Sequence, residues 1–159
     1  MLTKMAFRST LGHFPSGVVA VTSRDAHGEP VGMAVSSFTS VSLEPPLVAF
    51  LPSKSSSTFP IIARRGTFCV NVLAVGQEDI CRALAVPGGD KFTRVSWHPG
   101  SHDDPVLDGV VAWLGCTITS VHDAGDHDIV VGHVDDLAAD GSADPLLFFR
   151  SQYHHVAAA

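Results

Sequence analysis

Apolar residues along this chain recur mostly in short β-branched runs or at alternate positions, the patterns of buried and half-buried strands, and only two or three segments carry them at helical spacing. Phe7, Leu11 and Phe14 fall at i, i+4 and i+7 and predict one helical face over Thr3–Phe14, stopped by Pro15 and Gly17. Val18–Thr22 predicts a strand. Residues 25–30 predict a turn in which Gly28 supplies a positive φ, and Val31–Phe38 resumes as a strand. Glu44-Pro45-Pro46 breaks the chain before a short buried strand at Leu47–Leu51. A short helix is predicted from Thr58 to Arg65, with Pro60 in its first turn and Gly66 as its stop. Thr67–Leu73 alternates as a strand. Gln77–Val86 predicts a helix that turns Ile80, Cys81 and Leu84 inward and ends at Pro87-Gly88-Gly89. An irregular loop through Phe92, Trp97 and His98 follows. Val110–Val121, Ile129–Leu137 and Pro145–Arg150 then read as strands, the first two joined through the turn-forming segment His122–Asp128. Strands do not alternate with helices, so a doubly wound sheet is set aside. A closed or partly closed antiparallel barrel with short peripheral helices is predicted.

Length and composition narrow this picture. The 159 residues suit one domain. Hydrophobic residues make up 45% and charged residues only 16%, which points to some apolar surface lying in a subunit interface. The net charge of −6, with no basic run, argues against nucleic acid, whose binding requires phosphate neutralisation. No apolar run reaches the ~18 residues of a membrane span, and Met1–Arg8 lacks the apolar centre of a signal peptide. Cys69, Cys81 and Cys116 are odd in number and widely spaced, so they are expected as buried thiols in a cytoplasmic protein.

Two segments are rich in hydroxyls. Gly32-Met33-Ala34-Val35-Ser36-Ser37-Phe38 places two serines on a predicted strand, on opposite faces, with Gly32 leaving room for a flat ring. Ser53-Lys54-Ser55-Ser56-Ser57-Thr58 supplies five hydroxyls, an ammonium and backbone N–H groups just before a helix. That ensemble suits a phosphate, and it equally suits a serine loop with one capping residue. Neither a G-x-x-x-x-G-K-[ST] loop nor a G-x-G-x-x-G fingerprint is present, and no G-x-S-x-G elbow supports a hydrolase. His122 and His127 stand among three aspartates in a predicted turn, but nothing fixes a third ligand, so no metal site is expected.

Several stretches, in order, resemble the flavin reductase family with an FMN-binding split barrel. They are Leu11-Gly12-His13-Phe14-Pro15-Ser16-Gly17, Val31 through Val48, Lys54 through Thr58, Phe68 through Ala74, Gly125-Asp126-His127, and Pro145 through Tyr153. The resemblance spans roughly residues 7–153. It implies a mainly β, Greek-key split β-barrel over one domain, residues 1–159, and a homodimer. It also implies NADH- or NADPH-dependent reduction of FMN or FAD, by hydride transfer from nicotinamide C4 to flavin N5, with the reduced flavin passing to a transient partner monooxygenase. By similarity, Met33, Ala34, Val35, Ser36 and Ser37 line the isoalloxazine and ribityl chain. Ser53, Lys54, Ser55, Ser56, Ser57 and Thr58 hold the phosphate. Asp90, Lys91 and Phe92 border the flavin's distal end. His127 and Tyr153 meet the nicotinamide, His127 as the catalytic candidate. Many members carry Thr where this chain has Ala34 and Ser16. The alternatives are a non-catalytic flavin- or haem-binding module on the same barrel, a flavin-retaining oxidase or oxygenase, and a structural dimerisation domain.

Overall fold

The computed structural model describes residues 1–156, so the last three positions of the expected domain lie outside the described residues. Helix α1 (Lys4–Leu11) leads into β1 (Ser16–Gly17), β2 (Val19–Arg24), β3 (Pro30–Val35), β4 (Phe38–Leu43) and β5 (Pro46–Phe50). Then come α2 (Phe59–Arg65), β6 (Thr67–Val72), α3 (Glu78–Ala85), β7 (Trp97–Pro99) and β8 (Pro105–Leu107). Two long strands, β9 (Ala112–Ala124) and β10 (His127–Ala139), are followed by the short β11 (Leu147–Phe149) and β12 (Gln152–His154).

Seven strands form one antiparallel sheet in the order β3-β2-β6-β9-β10-β5-β4. Its two edges, β3 and β4, are consecutive in the chain, joined only through Ser36 and Ser37. Three residues of extended chain span at most about 11 Å. The sheet must therefore curl until its edges nearly meet, which is the barrel predicted, with its split between β3 and β4.

The barrel is filled by Val19, Val21, Phe50, Phe68, Val70 and Val130, and α2 closes it with Phe59 and Ile62. Phe50 packs edge-on against Phe68, with ring centres 5.1 Å apart. A second apolar cluster lies on the outer face of β2 and β3, where Val18, Ala20, Leu84, Phe92, Leu107 and Leu146 meet. Residues 18–23 are consequently buried on both faces, which is why this strand reads as a continuous apolar run and not as an alternation. The fully buried Asn71 ties the layers together. Its Oδ1 accepts from Leu107 N at 2.8 Å and its Nδ2 donates to Thr22 Oγ1 at 3.0 Å.

The structure departs from the sequence expectations in four places. Val31–Phe38 is not one strand: β3 ends at Val35, and β4, which the periodicity missed, starts at Phe38 on the opposite edge. The central loop contains a small hairpin, β7 paired with β8. The final strand is a hairpin, with Arg150 and Ser151 at φ 50° and 62° in its turn. Strands β9 and β10 extend through the segment expected as a loop and leave only Gly125 and Asp126 as the turn, with Gly125 at φ 77°. The three cysteines are buried free thiols. No helix among the described residues is long and apolar enough to cross a membrane.

Candidate functional site

A cleft of about 440 Å³ opens where the start of β3, the N-terminal end of α2 and the loop after α3 converge. Val31 and Gly32 form its floor, Ser57, Thr58 and Ile61 one wall, and Gly88 through Phe92 the other. The loop can fold over β3 because Gly88 and Gly89 both adopt positive φ, 74° and 75°. It is then pinned. Lys91 Nζ donates to the carbonyls of Gly32 at 3.3 Å and Leu84 at 3.2 Å, and Asp90 Oδ1 accepts from Phe92 N at 3.1 Å. Among the described residues Lys91 forms no ion pair. Burial lowers the pKa of its ammonium, while hydrogen bonds from Thr93 and Phe92 N hold the Asp90 carboxyl below its ordinary value. The cleft therefore offers an apolar floor, a hydroxyl wall and one cation bonded only to carbonyls, and the carboxylates of Asp25, Glu29 and Asp90 line it as well. Its size and its mixed apolar and polar lining suit a flat ring with polar edge groups.

The predicted ribityl segment splits by face. Met33 packs toward the barrel interior, with its Sδ 3.9 Å from Ser56 Oγ, and Ala34 packs on the outer cluster. Val35 is 6% exposed and packs in the barrel core. Ser36 and Ser37 are both exposed in the bend between the barrel's edges, and Ser37 O accepts from Leu51 N. The expectation that Gly32 leaves space for a ring is corrected: Phe92 and Leu84 fill the space over its Cα.

Within the serine loop the hydroxyls divide their work. Ser53 Oγ bonds Ser55 Oγ at 2.8 Å and accepts from Ser55 N. Ser56 Oγ accepts from Thr58 N and Phe59 N, at 3.2 and 3.1 Å, and so caps the start of α2. Thr58 is 8% exposed, whereas Ser57 is exposed and faces the cleft. Lys54 does not aim along the loop; its ammonium contacts Asp123 and lies 3.9 Å from Asp128 Oδ1.

His127 begins β10, directly after the Gly125-Asp126 turn, and is paired with Ser53 in an isolated bridge. Its Nδ1 lies 2.7 Å from Asp126 Oδ1, an interaction that lowers the Asp126 pKa. With Nδ1–H donating there, Nε2 is the nitrogen left to meet a ligand. The serine loop thus links the His127 turn at Ser53 to the cleft at Ser57. Tyr153 stands apart from this group. Its hydroxyl donates to Cys81 Sγ at 3.3 Å, and Arg82 lies over its ring. Burial, with the thiol as neighbour, pushes its pKa up to about 12. It borders a wider hollow of about 570 Å³ together with Glu78, Asp79 and Arg82.

Sequence reasoning treated Gly88 and Gly89 only as a helix stop, although paired glycines before Asp90 are the signal of a loop that must fold back. Asp123 and Asp128, expected as turn residues and weighed only against a metal site, face each other across the two strands and meet Lys54.

A family model described as "Flavin reductase like domain" matches residues 11–157. A flavin reductase from Pseudomonas putida is 49% identical over 152 residues, covering 96% of this chain and 89% of that protein. The crystal structure of a nitrilotriacetate monooxygenase component B homolog from Mycobacterium thermoresistibile superposes with a TM-score of 0.93 at 38% identity, covering 97% of this chain and 87% of that one. The NADH:FAD oxidoreductase SgcE6 of Streptomyces globisporus superposes with a TM-score of 0.91 at 36% identity, covering 98% and 94%, and has also been solved with NAD and FAD fragments. With its split barrel, its cleft beside β3 and the His127 turn joined to the serine loop, the chain belongs to the flavin reductase family.

Proposed function

We propose that this protein uses NADH or NADPH to reduce FMN or FAD and releases the reduced flavin to a partner monooxygenase. The observation that carries this is the cleft itself, where an apolar floor, the Ser57 wall and the Lys91 cation converge beside β3 in a chain of this family. The names of its relatives, an NADH:FAD oxidoreductase and a monooxygenase component, support the substrates and the partner.

When bound, the flavin supplies the two-electron chemistry, accepting a hydride at N5 from nicotinamide C4. The chain's own residues position. Val31 would carry the ring on the cleft floor, and Lys91 would place positive charge at its edge, where negative charge develops. Ser57, with the loop backbone from Ser53 to Thr58, would receive the phosphate. His127 would orient the nicotinamide through Nε2 while Asp126 holds its other nitrogen.

The functional unit is a single domain over residues 1–159 acting as a homodimer. Support comes from α1, which buries none of its own residues: Phe7, Leu11 and the following Phe14 are 52%, 54% and 78% exposed. An apolar face of this size is the mark of an interface.

The decisive test follows NAD(P)H oxidation by the purified protein with FMN, FAD and riboflavin added in turn. Turnover with at least one flavin is expected. No turnover with any of them would overturn the proposal.

A further inference from the structure

The tip of the β9–β10 hairpin poses an electrostatic problem. Asp123 and Asp128 are direct cross-strand partners, so two carboxylates face each other on one side of an antiparallel pair. Like charges so placed push the strands apart. Asp126 adds a third carboxylate in the turn between them. Among the described residues one cation reaches the pair: Lys54, whose ammonium contacts Asp123 and lies 3.9 Å from Asp128 Oδ1. The backbone places it there. Lys54 N donates to Asp126 O at 2.9 Å, and Asp128 N donates to Pro52 O at 3.0 Å, so the serine loop runs against the tip as a short extra strand. An ammonium so engaged would have to leave two carboxylates to serve a phosphate. The anions of the loop's own neighbourhood already satisfy it.

We propose that Lys54 is a positioning residue that neutralises the facing Asp123 and Asp128 and so holds the hairpin tip in the geometry that presents His127, instead of binding the flavin phosphate. The proposal rests on the reading of His127 given above. It moves Lys54 from the flavin side of the reaction to the nicotinamide side. It also makes the serine loop a mechanical link: its first half braces the His127 turn and its second half, Ser57 and Thr58, borders the cleft.

Steady-state kinetics of the purified protein, with NADH varied against FMN and against riboflavin, test this. Riboflavin lacks the phosphate, so the ratio of the two flavin KM values reports any phosphate contact. Lys54→Ala should lower kcat/KM for NADH about threefold to fivefold, the scale of a partly exposed ion pair, equally with both flavins and with the KM ratio unchanged. Adding Asp123→Asn removes one of the two facing charges, and with it their repulsion, and should return kcat/KM to within a factor of about two of the wild type. Lys54→Arg should retain it. In a His127→Ala background, Lys54→Ala should cause no additional loss. A rise in KM for FMN alone in Lys54→Ala, uncorrected by Asp123→Asn, would make Lys54 a phosphate ligand and overturn the proposal. An impaired His127→Ala beside an unimpaired Lys54→Ala would overturn it while leaving the His127 reading intact. An unimpaired His127→Ala would remove the reading on which it rests.

Discussion

Gly32 and Phe92 pack so closely that a Cβ at position 32 would stand 3.1 Å from Phe92 Cζ, with Leu84 Cδ2 at 3.2 Å and Thr22 Cγ2 at 3.3 Å, and would require these side chains to give way by a few tenths of an ångström. Phe92 seats the loop that walls the cleft, and Lys91 beside it ties that loop to the Gly32 carbonyl. Gly32→Ala should therefore act on stability and on the cleft together. Unfolding in urea should show a loss of about 1–3 kcal/mol, the usual cost of an extra methyl in a packed layer, and the KM for flavin should rise. Unchanged values for both would mean that Phe92 yields without moving Lys91.

Ser56 and Ser57 are adjacent but do different work. Ser56 caps α2 through Thr58 N and Phe59 N, while Ser57 is exposed and lines the cleft. Ser56→Ala should lower unfolding stability by about 1 kcal/mol, the cost of losing an N-cap. Ser57→Ala should leave stability alone and weaken FMN more than riboflavin. Equal effects of the two variants on flavin titrations would contradict this division.

Asp104 gives the fold a pH dependence with a definite sign. It is 2% exposed, bonded by Ser23 Oγ at 3.3 Å and faced by Arg65 Nε at 3.6 Å, and among the described residues its Oδ2 has no hydrogen-bond partner. Burial outweighs the nearby Thr67 hydroxyl, Arg65 and Ser23 and raises its pKa above the ordinary 3.8. The folded state thus holds this proton more tightly than the unfolded chain. The stabilisation is complete below the ordinary value and is lost as pH rises through the raised one. Denaturant midpoints of the wild type and Asp104→Asn, compared at pH 4 and pH 7, should shift in favour of the wild type at the lower pH. A difference independent of pH would refute the shift.

The α1 face should control assembly. Because α1 buries none of its own residues, Phe7→Asp with Leu11→Asp should leave the fold intact. Sedimentation of the variant should give the mass of one chain where the wild type gives two. A wild type that sediments as one chain would remove the dimer.

The sequence by itself determined what depends on neighbours along the chain. The apolar runs and alternations place most of the strands, Gly66 stops α2 at φ 80°, and Gly125 makes the tight turn before His127. The ordered motifs carried the family, because a long series of local matches is legible without any fold. Tertiary structure decided everything that rests on distant partners. Ser36 and Ser37 became a bend at the barrel's seam because β3 and β4 have different neighbours, although the local pattern continues through them. Lys54 meets Asp123 across 69 positions and Lys91 meets Gly32 across 59. Which hydroxyl caps, which faces the cleft and which cation is already paired follow from topology, because a polar group's partner is set by what folding brings within about 3 Å of it and not by its place in a motif.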